Sequence, residues 1–128
     1  MANVSKGAAG EVLAARFLRE KGYRIIGSNV RSRQGEIDII AVDEQYIVFV
    51  EVKARSENAL YAPREAVTLS KQQRILRTAA MYLQTHPSPL QPRFDVIEIL
   101  TAPNDPMKVI ELDHLISAYE TEGLHAAF

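Results

Sequence analysis

The sequence contains no cysteine. That absence excludes thiol catalysis, zinc–thiolate sites and structural disulfides together, and it fits a chain kept in a reducing cytoplasm. Long apolar runs are missing too. The strongest of them, YIVFV at 46–50, is far too short to cross a bilayer. The Ala-rich N-terminal stretch is interrupted by Glu11 and Arg16, so it lacks the continuous apolar core of a signal peptide. These absences predict a soluble, cytoplasmic protein with no membrane partner. Internal repeats and low-complexity linkers are also lacking. A chain of 128 residues, 47% hydrophobic and 24% charged, has the size and balance of one globular domain. The expected domain is 1–128, with a core over about 5–112 and a flexible tail over about 121–128.

Neither sign of charge dominates, and the formal net charge is −1. The distribution is uneven. Residues 1–35 carry seven basic and two acidic groups, and residues 36–66 carry three and seven. Residues 67–93 carry four basic groups and no acid, and residues 94–128 carry one base and seven acids. Such blocks predict a basic surface beside an acidic pocket, or else a patchy surface of no consequence.

What is present reads as alternating elements. Residues 5–21 have a helical pattern with Ser5 as N-cap, a stripe of Val4, Ala8, Ala15 and Leu18, and Glu11 within that stripe. Gly22 supplies a stop, and YRIIGSNV follows as a strand. GEIDII and YIVFVEVKAR form the two arms of a hairpin. A loop containing Pro63 leads to a second helix, where Ser70 and Gln73 match a capping box and Ile75, Leu76, Ala79, Tyr82 and Leu83 form the apolar face. HPSPLQP is a connector, RFDVIEIL and MKVIEL are strands, and LDHLISAYE is a short closing helix. The order α-β-β-β-α-β-β-α predicts an α/β fold around one mixed sheet.

The hairpin poses the chemical question. Glu36, Asp38, Glu51 and Lys53 interrupt its apolar runs, and charges are rarely placed there without a partner or a role. Strand side chains alternate faces, so Glu36 and Asp38 share one side and Glu51 and Lys53 share another. A two-residue turn at Asp43-Glu44 brings all four together with Glu36 opposite Glu51. A four-residue loop over Asp43 to Tyr46 does the same with Asp38 opposite Glu51, and a three-residue loop separates the pairs. Carboxylates that converge repel unless a cation neutralises them or one keeps its proton. Hard oxygen ligands suit Mg²⁺ or Mn²⁺, and a lysine beside them steadies an attacking water or a developing phosphate charge. The competing reading is an ordinary surface ion pair.

The blocks GAAGE at 7–11, NVR at 29–31, GEIDII, VFVEVKAR and RFDV at 93–96 resemble the YraN-like bacterial proteins. Those are similar to archaeal Holliday-junction resolvases and, more widely, to the restriction-endonuclease-like PD-(D/E)xK nucleases. The resemblance runs over nearly the whole chain. It implies a central mixed sheet flanked by helices, with the site on a hairpin of that sheet. It makes Asp38 the metal-binding aspartate, Glu51 the second carboxylate and Lys53 the catalytic lysine. Glu11 becomes a further ligand or metal-water contact on the first helix, and the Val52 carbonyl is expected near the ion. Ile37 stands where the literal motif has proline. Gln72 matches the polar residue that some such nucleases place on the following helix, and Glu36 is a further accessory acid.

Arg31, Arg33, Lys71, Arg74 and Arg77 are the candidate phosphate contacts. His86, His114 and His125 show no metal-ligand spacing and read as surface residues, while Asp95 reads as a strand-edge polar residue or a support behind the site. The expected function is a Mg²⁺- or Mn²⁺-dependent DNA endonuclease, acting on branched or junction DNA, and by resemblance a homodimer. The alternatives are a non-catalytic nucleic-acid-binding protein that retains the nuclease fold and a protein-interaction domain whose charges are structural.

Overall fold

A computed structural model describes residues 6–57 and 68–119. Helix α1 (Lys6–Glu20) leads into strand β1 (Arg24–Arg31), the hairpin of β2 (Glu36–Val42) and β3 (Tyr46–Ser56), helix α2 (Leu69–Thr85), and strands β4 (Gln91–Ala102) and β5 (Asp105–Leu115). One five-stranded sheet runs in the order β1-β2-β3-β4-β5. Strands β3 and β4 are parallel and every other neighbour is antiparallel, so the sheet is mixed. Parallel neighbours need a long crossover, and α2 lies in it. This is the expected α/β architecture, consistent with a restriction-endonuclease-like plan.

Each helix covers one face. On one side Ile75, Leu76, Ala79 and Ala80 of α2 pack on Ile40, Ile47, Phe49 and Phe94. On the other, Leu13, Ala14 and Leu18 of α1 pack on Ile39, Ala41, Val48, Val50, Ile97 and Ile99. Buried on both faces, β3 reads as a nearly unbroken apolar run.

The α1 face differs from the expected stripe. Ala9, Gly10, Leu13, Ala14 and Leu18 are buried, Ala8 is exposed, and Glu11 lies half-buried at the margin. Gly10 explains the shift, because α1 approaches β3 there so closely that an added Cβ would stand 2.7 Å from the Ala54 Cβ. The stop at Gly22 is as expected. Its φ of +98° closes α1, with Tyr23 N–H donating to the Leu18 carbonyl and Gly22 N–H to that of Arg19. Ser5, the proposed N-cap, lies outside the described residues, as do the loop at 58–67 and the tail at 120–128.

Two further expectations are corrected. The N-cap of α2 is Thr68, whose hydroxyl accepts from Lys71 N–H at 3.2 Å, while Ser70 sits inside the first turn. Among the described residues of LDHLISAYE (112–119), no closing helix forms. Residues 112–115 continue β5, pairing with β4 from Ile99↔Leu112 to Val96↔Leu115. The spacing of Leu112, Leu115 and Ile116 suits a helix, but strand alternation turns Leu112 and His114 inward, where each finds a partner.

Candidate active site

Register decides the hairpin. Ile39↔Val50, Ile40↔Phe49, Ala41↔Val48 and Val42↔Ile47 pair, and the same register carried one step further sets Asp38 against Glu51. This is the four-residue alternative. Asp43 fixes it locally, since its Oδ1 accepts from the N–H groups of Gln45 at 2.8 Å and Tyr46 at 2.6 Å.

Beyond Ile39↔Val50 the Asp38 side chain bonds to the backbone of the facing strand. Its Oδ2 accepts the Val52 N–H at 2.8 Å. Asp38 and Glu51 thus lie together, with Glu36 and Val52, in a cleft of about 630 Å³. The opposite wall is the start of α2, through Thr68, Ser70, Lys71, Arg74 and Ile75. Gly35 completes the rim, close enough that an added Cβ would meet the Arg74 Cβ at 3.3 Å.

Glu51 is the buried member, with 7% of its side chain exposed. Its Oε1 forms an ion pair with Lys71 Nζ, and its Oε2 is buried with no hydrogen-bond partner. A buried carboxylate oxygen left in this way is costly unless a cation or a donor reaches it. Asp38 shows the same need. Burial pushes its pKa up to about 6 against the pull of the Val52 N–H, and the charges of Glu11, Glu51 and Glu36 push it further up. Three carboxylates on different elements therefore act on one aspartate. The donor set is hard oxygen, which fits Mg²⁺ or Mn²⁺. Among the described residues, no three acidic or histidine side chains gather closely enough to cage an ion by themselves.

With that geometry in view, the family is decided by a match of residues 10–99 to the model of the uncharacterised protein family UPF0102. The chain belongs to the UPF0102 family. A UPF0102 protein of Chlorobium phaeobacteroides is 46% identical over 119 residues, covering 90% of this chain and 94% of that protein. One from Symbiobacterium thermophilum is 52% identical over 99 residues, covering 77% and 84%. The YraN-like resemblance read from the motif blocks is to this family. Glu11, Asp38, Glu51 and Lys53 all fall within the matched span.

The remaining predicted residues of this UPF0102 chain divide between the cleft and positions outside its lining. Lys53 follows Glu51 by two positions on the same side of β3, opposite Glu98 of β4, and does not line the cleft. Glu11 reaches Asp38 by its charge and also lies outside the lining. Glu36 is paired with Arg31 at 3.5 Å in an exposed contact. Arg33 and Arg77 are exposed, on the β1–β2 loop and on α2, and neither lines the cleft. Gln72 is half-buried and is not a lining residue.

Sequence reasoning missed two things. Thr68 and Ser70 line the cleft, and the only signal was that two hydroxyl residues compete to start α2. The larger miss is around Asp95. His114, expected at the surface, has 4% of its side chain exposed and donates from Nε2 to Asp95 Oδ2 at 2.7 Å. Arg93 grips the same carboxylate bidentately at 2.9 and 2.8 Å and reaches the Tyr23 hydroxyl at 2.6 Å. Ser117 N–H adds a further bond to Asp95 at 3.0 Å. Burial alone would raise the pKa of Asp95, but the bonds from His114, Arg93 and Ser117 outweigh it and hold that pKa below its ordinary value. The RFD block is therefore a buried staple joining β4, β5 and the α1–β1 junction. Among the described residues, no helix is long and apolar enough to cross a membrane.

Proposed function

We propose that this protein is a cytoplasmic, Mg²⁺- or Mn²⁺-dependent endonuclease that hydrolyses phosphodiester bonds of DNA, with branched or junction DNA as its preferred form. One observation carries the reading: Asp38 and Glu51 face each other across the hairpin, with an unpartnered buried Glu51 oxygen, at the floor of a cleft walled by Lys71 and Arg74. Acid on one side and base on the other suits a cation and the phosphate it serves.

In this reading Asp38 and Glu51 hold the divalent ion, with the Val52 carbonyl beside them. Two carboxylates are in keeping with Mg²⁺, which retains water and phosphate oxygens for the rest of its shell. When bound, the ion polarises the phosphate and lowers the pKa of an attacking water. Lys53 would position that water, Glu11 and Glu36 would serve as accessory acids beside the ion, and Gln72 would be an accessory polar group on α2. Arg31, Arg33, Lys71, Arg74 and Arg77 contact the strand through its phosphates, which positions DNA without reading its sequence. Cutting both strands of a junction requires two such sites, so the reading includes a homodimer, to be checked by sedimentation with and without junction DNA.

The pairing of Glu51 with Lys71 favours a second reading, a nucleic-acid-binding protein that keeps the nuclease fold without catalysis. Incubation with linear, single-stranded and four-way-junction DNA, in Mg²⁺, Mn²⁺ or EDTA, separates the two. Metal-dependent cleavage strongest on the junction is the expected result. Salt-sensitive binding that EDTA leaves unchanged, with no cleavage, would select the second reading.

A further inference from the structure

Glu51 is met from the neighbouring helix by Lys71. Lys71 belongs to the first turn of α2, where Thr68 holds its backbone N–H at 3.2 Å, so its main chain is pinned. Its side chain is not: 53% of it is exposed, against 7% for the Glu51 it reaches. A flexible four-carbon stem carrying a point charge can move between two acceptors without any shift of the helix. Glu51 uses one oxygen for Lys71 and leaves the other buried without a partner, so one ammonium neutralises the site incompletely. Arg74, one turn further along, lines the same wall.

We propose that Lys71 is a placeholder for the divalent cation, neutralising Glu51 in the metal-free protein, yielding that place when the ion binds, and then seating a phosphate of the nucleic-acid strand. The inference rests on the nuclease reading of the cleft and adds an order of events to it. Lys71 and the ion compete for Glu51, so the lysine weakens metal binding. Once released, Lys71 stands on the wall of the same cleft with its charge free for the strand, so metal and DNA bind with positive coupling. Removing Lys71 therefore has opposite effects on the two ligands, which loss of a merely structural ion pair would not produce.

The test is Mn²⁺ binding, followed by calorimetry and by the free-ion EPR signal, in the full chain and in Lys71→Met and Lys71→Arg. Lys71→Met is expected to bind Mn²⁺ roughly threefold to tenfold more tightly, as removal of a competing ion pair predicts. Lys71→Arg should stay near the wild type. With Ca²⁺ present to prevent cleavage, Lys71→Met should bind a fluorescent DNA junction about tenfold more weakly and with a shallower salt dependence. Melting curves for each variant verify folding. Equal or weaker Mn²⁺ binding in Lys71→Met, with the wild type binding normally, would overturn the placeholder and leave the nuclease reading intact. No Mn²⁺ binding in either protein would overturn both.

Discussion

At the scale of single residues, the cleft is a place where stability is given up. Asp38 ionises reluctantly because it is partly buried and because Glu11, Glu51 and Glu36 surround it. A carboxyl raised from 3.8 to about 6 is protonated in the folded chain and ionised in the unfolded one over that interval. The folded state then binds the extra proton, so stability falls as pH rises from about 4 to about 6 and stays lower above it. The full shift would correspond to about 3 kcal/mol; partial exposure reduces the expectation to about 1–2 kcal/mol. Asp38→Asn keeps an oxygen for the Val52 N–H and removes the charge. It should raise the melting temperature of the metal-free protein near neutral pH, by a shift that vanishes near about pH 4, while abolishing cleavage. Thermal melts across pH check it. Asp95 titrates in the opposite sense. Its lowered pKa contributes stability that is complete above the ordinary carboxylate range and is lost as pH falls through the lower folded value.

At the scale of elements, small residues set how closely the layers meet. In Gly10→Ala the helix gains about 1 kcal/mol of propensity, but the new methyl must displace Ala54, and overpacking of this kind costs about 1–3 kcal/mol. We expect net destabilisation in a denaturant titration, together with a Glu11 carried away from Asp38. Thr68→Ala should cost about 1 kcal/mol through loss of the α2 cap, and Ser70→Ala little by comparison; the same titrations compare them. Much of this level was legible. Period-two alternation located the hairpin, and Gly22 marked the end of α1. What was not legible depended on distant partners. Turn length had three solutions until Asp43 supplied the local bonds that choose one. The 112–115 segment fitted two periodicities, and only its pairing with β4 makes it a strand. His114 looked like a surface residue because Asp95, its partner, is 19 positions away.

At the scale of the molecule, two charged assemblies divide the work. The Asp95 staple draws Arg93, His114, Tyr23 and Ser117 onto one carboxylate and is fully satisfied. Beyond it the chain turns back, with Ala118 N–H on the Phe94 carbonyl and Tyr119 stacked on the Phe94 ring at 5.4 Å. Removing the carboxylate leaves Arg93 buried without a counter-charge, so Asp95→Ala should cost about 3–5 kcal/mol, readable as a lower denaturant midpoint. The Asp38–Glu51 cleft is the reverse case, left short of positive charge at Glu51 Oε2 and at Asp38. The candidate carboxylates of this site were legible because charges within apolar strands are conspicuous; Lys71 as their neighbour was not, because the crossover that brings α2 over the hairpin leaves no local mark. The claim that this shortage of charge serves metal-dependent phosphodiester cleavage is tested most directly by one comparison: junction-DNA cleavage in Mn²⁺ by the wild type and by Asp38→Ala. The account predicts cleavage by the wild type that EDTA stops and none by the variant; equal cleavage by both would contradict it.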